Sequence, residues 1–235
     1  MIMMIIEMQL QSNHIFLRIK YSTITIHHHF LFYFFELNIY LIFLQFFYIK
    51  VKNYGRGGTY ALRNDNGTKR SYWSCEEFIQ ASRSNPHIAI IQFGTNDILS
   101  SSWHEKSFIN DYLRLIKHFR KTKYNPVIFI NIPGPYYIDV TTFKNEKEKK
   151  EKEKMFFDLN KVLPPIIHKI AVISNSTVID IFHEMGGEKL SFPKLMTSDL
   201  LHPNSNGYLK IAMKIAAVVS SHPEFKKLQN LKISE

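Results

Sequence analysis

Residues 88–97, IAIIQFGTND, constrain the fold more than any other stretch of the chain. Ile88, Ala89, Ile90 and Ile91 form a short apolar run bounded by Pro86 and Gly94. A run of that length predicts a strand buried on both faces, as in a parallel sheet. Sheets of this kind bind ligands at the carboxyl ends of their strands. Gly94 permits a sharp turn there, and Asn96 carries two N–H donors toward the crevice. A strand that ends in Gly, Asn and Asp is also an ordinary turn, so this stretch marks a candidate site and no more.

The segments around it keep the same rhythm. Residues 48–53 predict a strand, followed by a loop with Gly55, Gly57 and Gly58, whose backbone can approach a ligand closely. No Gly-Lys-Ser/Thr follows and the dinucleotide glycine spacing is missing, so this is not a phosphate loop. Residues 74–82 predict a short helix with Ser74 as N-cap and Glu77 at the capping-box position. In residues 107–121, Phe108, Tyr112, Leu115 and Phe119 recur at helical spacing and predict a core-facing helix. Residues 126–132 predict a second buried strand that ends in the rigid Pro133-Gly134-Pro135 loop.

Residues 144–154 are a Lys/Glu block, read as an exposed helix start or a surface segment. Helix continues over 156–173, with a break or new start at Pro164-Pro165. Residues 177–182 predict a third strand. Alternation of strands and helices points to a parallel sheet covered on both faces.

The last motif is Asp199-Leu200-Leu201-His202-Pro203-Asn204, set before a helix whose apolar face is Tyr208, Ile211, Ala212, Ile215 and Val219. A carboxylate three residues before a histidine can accept its Nδ1–H and leave Nε2 free to take a proton. The plainer reading is a turn cap beside an exposed histidine.

Charge and cysteine content exclude some classes. The net charge of +10 is spread along the chain, with Glu interleaved in its densest run, and no zinc-finger spacing or aromatic-basic motif accompanies it. A solvated basic surface, or weak attraction to anionic partners, is expected, without nucleic acid as partner. A single cysteine, Cys75, excludes an intramolecular disulfide and a Cys-based zinc site.

Residues 1–47 differ from the rest, being rich in Ile, Phe, Leu, Tyr and His with no Gly or Pro. Residues 30–49 are long enough to span a bilayer, although Glu36 in hydrocarbon costs about 2–3 kcal/mol or more. Three readings stand open: a membrane anchor, a genuine first strand and helix of the domain, or sequence not native to this fold, such as read-through of AT-rich DNA. His27-His28-His29 lacks partner ligands for a metal. The two Asn-x-Ser/Thr sequons, at Asn66 and Asn175, matter only if the chain is secreted. Secreted and membrane-associated locations, and any oligomeric state, stay open. The domain is expected over 48–225, followed by a polar tail over 226–235.

Gly58 in its glycine loop, Asn96 in Gly-Thr-Asn-Asp, and Asp199-x-x-His202-Pro-Asn stand in one order. Together they resemble the SGNH (GDSL-type) ester hydrolases, nearest to carbohydrate O-acetylesterases such as sialate and acetylxylan esterases. Residues 53–62, the Tyr72-Trp73 pair, the helix after Asn96 and the Pro133-Gly134-Pro135 loop fit that branch, and the resemblance covers residues 48–220. It implies an α/β fold of the flavodoxin-like SGNH type, a three-layer α/β/α sandwich with a central parallel sheet. It also implies an oxyanion hole that includes the Gly58 N–H and the Asn96 amide, with His202 as general base oriented by Asp199. The implied substrate is a small-molecule or glycan ester, and no metal or organic cofactor is implied.

The chain departs from the family at its first block. The family's first strand ends in Gly-Asp-Ser and its serine is the nucleophile, whereas this chain has no Gly before Gly55. The upstream serines, Ser12 and Ser22, do not follow Gly-Asp. The first strand is therefore in doubt, the nucleophile is unknown, and impaired catalysis is expected.

Overall fold

The computed structural model describes residues 2–8, 49–64, 66–67, 69–139, 143–188 and 193–230. Ser12, Ser22, the three adjacent histidines and all of the 30–49 stretch except Ile49 lie outside these residues. Among the described residues, no helix is long and apolar enough to cross a membrane.

Five strands form one sheet: β1 (Ile2–Met8), β2 (Ile49–Asn53), β3 (Ile88–Gln92), β4 (Val127–Ile132) and β5 (Thr177–Asp180), in the order β2-β1-β3-β4-β5. The β3-β4-β5 portion is parallel, as the alternation of apolar runs and helices predicts, with Ile88 opposite Val127 and Phe129 opposite Thr177. β1 lies between β2 and β3 and runs antiparallel to both, with Ile2 opposite Gln92 and Met4 opposite Asn53. A strand is thus drawn from the N-terminal segment, and it points opposite to its neighbours.

The helices are α1 (Glu76–Arg83), α2 (Thr95–Ile98), α3 (Glu105–Arg120), α4 (Glu146–Phe157), α5 (Leu163–Ser174), α6 (Ile181–Glu184), α7 (Ser205–Ser221) and α8 (Pro223–Asn230). Alternating strand residues feed two cores. Ala89, Ile91, Ile128, Ile130 and Ile132 pack with Leu115, Phe119, Ile166 and Ile170 of α3 and α5. Ile88, Ile90, Phe129 and Ile179 pack with Ile211, Ile215 and Val219 of α7 and Phe225 of α8. This is a three-layer α/β/α sandwich whose middle layer is parallel over β3-β4-β5 and antiparallel at β1. Each buried aliphatic side chain of α7 contributes about 1.5–3 kcal/mol, enough to fix the helix and the loop that enters it.

Local signals were realised unevenly. α1 starts one step later than its sequence signal, with Cys75 as N-cap and no side-chain cap bond. Ser74 closes a 3₁₀ turn instead, and its hydroxyl donates to the Ser71 carbonyl at 2.9 Å. Pro164 and Pro165 sit in the first turn of α5, after a π-turn over Asp158–Val162, so they open a helix rather than break one. The Lys/Glu block forms α4, capped by Asn145 and with no buried residue.

Gly94 shows why the turn after β3 needs glycine. Its φ is +119°, and a Cβ there would lie 2.6 Å from Leu163 Cδ1. Gly94→Ala is expected to lower unfolding free energy by about 2 kcal/mol through backbone strain and overpacking, as read from urea denaturation.

Candidate active site

The loops after β2 and β3, together with the loop that enters α7, carry the predicted site residues. After β3, Gly94 turns the chain into α2, whose second residue is Asn96. The Asn96 Nδ2 donates to the Thr59 carbonyl at 3.3 Å, which brings Asn96 onto the glycine loop beside Gly58. Gly58 is exposed with φ +75°, and a Cβ there would meet nothing within 4 Å. Glycine is required here by the backbone angle, not by lack of space.

Asp97 holds the two segments together. It is fully buried, and its Oδ1 accepts from Leu62 N–H at 2.9 Å while its Oδ2 accepts from Gly94 N–H at 3.1 Å. Burial pushes its carboxyl up to about 7, opposed by the N–H groups of Leu62 and Gly94. Sequence reasoning passed over this residue as part of a turn. The signal was available: an acidic side chain three residues after a turn glycine can reach back to that glycine's N–H.

Asp199 and His202 form the second pair. The Asp199 Oδ2 lies 2.6 Å from His202 Nδ1, and Oδ1 accepts from the N–H groups of Leu201 and His202, each at 2.9 Å, and from the Thr197 hydroxyl at 2.7 Å. Partial burial pushes the Asp199 carboxyl up, but these donors outweigh it and hold the group well below the usual carboxylate range. The Asp199 side chain is therefore charged and faces Nδ1, which assigns the Nδ1–H tautomer to a neutral His202 ring. The imidazole is 64% exposed, and its Nε2 bonds to no described residue.

The loop under this pair is tightly held. Thr197 N–H donates to the His202 carbonyl at 2.8 Å, and Asn204 caps α7 while its Nδ2 donates to the carbonyls of Lys194 and Met196. Leu200 adopts φ +59°, a left-handed conformation that costs a branched side chain about 1–2 kcal/mol. Its carbonyl is fixed by Tyr137 N–H at 3.0 Å. Tyr137 also donates its hydroxyl to the Met185 carbonyl at 2.5 Å. The adjacent Tyr136 is clamped through both backbone groups by buried Asn160 on the π-turn, at 2.9 and 2.8 Å. The loop after β4 thus carries the dyad loop. Neither Tyr137 nor Asn160 is distinctive in sequence, because each role depends on a contact distant along the chain.

The structure therefore joins Asn96 to Thr59, the residue after Gly58, and Asp199 to His202. No hydrogen bond links the first pair to the second among the described residues. A further Asp-x-x-His pair, missed in the sequence although its spacing is identical, stands at the end of β5. There Asp180 Oδ2 lies 2.7 Å from His183 Nδ1, and Oδ1 accepts from His183 N–H at 2.9 Å. Among the described residues, no group of three or more His, Cys, Asp or Glu is gathered for a metal.

Residues 46–210 match the model of the GDSL-like lipase/acylhydrolase family. The chain belongs to that family. A search of curated protein sequences finds no match.

This GDSL-like chain is also similar to several solved structures. Est24, a carbohydrate acetylesterase from Sinorhizobium meliloti, is 16% identical over 70% of this chain and 74% of that one, with a TM-score of 0.50. A carbohydrate esterase family 3 protein from Talaromyces cellulolyticus is 17% identical over 77% of this chain and 72% of that one, with a TM-score of 0.46. A peptidoglycan O-acetylesterase is 14% identical over 69% of this chain, with a TM-score of 0.46, and this chain spans only 43% of its length. The Est24 likeness speaks to fold alone, not to substrate.

Proposed function

We propose that this GDSL-like chain derives from esterases that remove acetyl groups from carbohydrates, and that its own catalysis is impaired. In this reading, a tetrahedral intermediate's oxyanion receives hydrogen bonds from the Gly58 N–H and the Asn96 amide, each such donor being worth about 3–4 kcal/mol in other hydrolases. His202 takes a proton at Nε2, and Asp199 holds the ring and stabilises the imidazolium. The observation that carries the reading is the 2.6 Å Asp199–His202 contact with Nε2 left open.

Impairment follows from the missing partner. No described Ser, Thr or Cys side chain hydrogen-bonds the His202 ring, and an unpositioned hydroxyl is a weak nucleophile. Purified protein is expected to turn over p-nitrophenyl acetate no faster than its His202→Ala variant. Robust turnover that the substitution abolishes would overturn the impaired reading and show that a nucleophile is supplied.

A second reading, a carbohydrate-binding relative without catalysis, is favoured by the same unpartnered Nε2. Calorimetry with an acetylated xylo-oligosaccharide, showing binding without acetate release, would select it.

A further inference from the structure

Large apolar side chains stand out from the surface of α5. Val172 is 81% exposed and Ile173 56%, and both lie in the last turn of that helix. Phe157, 57% exposed, ends α4 on the same helical run. Phe157, Lys161, Pro165, Lys169 and Val172 are all exposed and recur every three or four residues through the π-turn, so they share one outward stripe. A single exposed aliphatic residue is ordinary. Adjacent ones framed by cations mark a contact surface.

The cations come mainly from α3. Lys106, Asn110, Arg114, Lys117 and Lys121 are spaced three or four apart along its exposed side, a row of about 22 Å that contains no acid. Arg114 is neutralised by Asp111 at 3.1 Å, and Lys161 pairs with Glu188. Among the described residues, Lys106, Lys117, Lys121 and Lys169 form no ion pair.

Arg120 ties the two helices together. Its Nη2 donates to the Asn175 carbonyl at 3.0 Å and to the Ser176 hydroxyl at 3.4 Å. Lys117 and Lys121 lie within a turn of Arg120, and Val172 and Ile173 within a turn of Asn175, so the lysines and the aliphatic pair adjoin. Toward the start of α3, Lys106, Ile109 and Lys169 line one hollow. The α7 surface makes a contrast. Leu209 and Met213 are exposed there too, but the neighbouring Lys210 and Lys214 both bond Glu184, at 3.2 and 3.3 Å. That face has apolar area without spare charge.

Protruding aliphatic side chains set among unpaired lysines match a partner that is anionic at its boundary and apolar just beneath. We infer that the α3–α5 face docks on an anionic lipid bilayer, with Val172 and Ile173 entering the acyl boundary and Lys106, Lys117, Lys121 and Lys169 meeting the headgroup phosphates. The lysine stems lie along the apolar layer while their ammonium groups stay at the headgroups. Nucleic acid fits this face less well, since aliphatic side chains offer bases neither hydrogen bonds nor rings to stack on. The Asp199–His202 loop enters α7 in the opposite layer, so docking leaves the dyad uncovered. The face is separate from residues 30–49, and the inference rests on no reading of the substrate.

The test is co-sedimentation of the full chain with vesicles of phosphatidylcholine alone, or of phosphatidylcholine with about one-third phosphatidylglycerol. Partitioning to the anionic vesicles is expected to be at least about tenfold stronger, and to weaken as NaCl rises from about 0.1 to 0.5 M. Lys117→Glu/Lys121→Glu is expected to reduce it by about 25-fold or more, each lysine near an anionic surface being worth about fivefold. Val172→Asp/Ile173→Asp is expected to reduce it by about tenfold or more. Lys226→Glu/Lys227→Glu, the same charge change on α8 in the opposite layer, is expected to change it by less than about fivefold. All six side chains are exposed, and thermal melts check that each variant is folded. Equal partitioning to the two kinds of vesicle, an equal loss in the α8 variant, or binding that survives both the α3 and the α5 substitutions, as anchoring through residues 30–49 would give, would each overturn the inference. So would a single-stranded oligonucleotide that binds more tightly than the anionic vesicles and is indifferent to Val172→Asp/Ile173→Asp, a result that assigns the face to nucleic acid.

Discussion

Gly207→Ala is expected to destabilise the protein by about 2 kcal/mol or more, although alanine is the better helix former. Gly207 is buried in the first turn of α7, and its N–H donates to the Asn204 side chain at 3.1 Å. A Cβ there would lie 2.2 Å from the Leu195 carbonyl oxygen and 2.9 Å from Pro203 Cβ. The first contact is with backbone, and that same carbonyl accepts from Asn204 N–H at 2.9 Å. Relief therefore requires the 193–196 turn to move, with the Asp199–His202 loop attached. Helix propensity returns about 1 kcal/mol and overpacking costs about 3. Urea denaturation should show the loss, and thermal melting should fall by about 4–8 °C for a domain of this size. The His202 ring-proton shifts should move as well. An unchanged melting temperature would mean that the turn is looser than its hydrogen bonds indicate.

The second large effect concerns Asp97. Its folded carboxyl is raised to about 7 by burial, against the ordinary unfolded value near 4. The folded state holds this proton more tightly than the unfolded chain does. Its contribution is thus fully present below about pH 4 and is lost as pH rises toward about 7, changing stability by up to about 4 kcal/mol across that window. Tyr112, whose phenol burial keeps neutral, adds no opposing charge there.

Asp97→Asn should remove this slope. It should also cost about 1–3 kcal/mol at low pH, since one carboxamide oxygen cannot accept from both Leu62 and Gly94 as the acid does. The gap between wild type and variant should therefore narrow from pH 5 to pH 8 in urea titrations. Parallel pH profiles would show that Asp97 stays charged throughout.

Much of this arrangement was legible residue by residue. The apolar runs at β3 and β4 announced buried strands, and the Phe108, Tyr112, Leu115, Phe119 spacing announced α3, because burial imposes a period on sequence. The contacts that seat the candidate site were not legible. Asp97 with Leu62, Tyr137 with Leu200, and Asn160 with Tyr136 join residues far apart in the chain, and single-sequence periodicity carries no record of such pairings. Ser74 reads as an N-cap until the 3₁₀ turn before it takes the hydroxyl. The orientation of β1 was equally hidden, since an apolar run has no arrow and only the surrounding connections give it one.

That orientation has a consequence for how chemistry could reach the crevice. Because β1 is threaded against the grain of β3, its carboxyl end lies beside Ile49 and Ile88, at the opposite end of the sheet from Gln92 and the Asn96 turn. Both ladders of this central lane are occupied, one by β2 and one by β3. A strand arriving from elsewhere to pair with β3 in this lane would have to evict Ile2–Met8 and break two rows of backbone bonds at once.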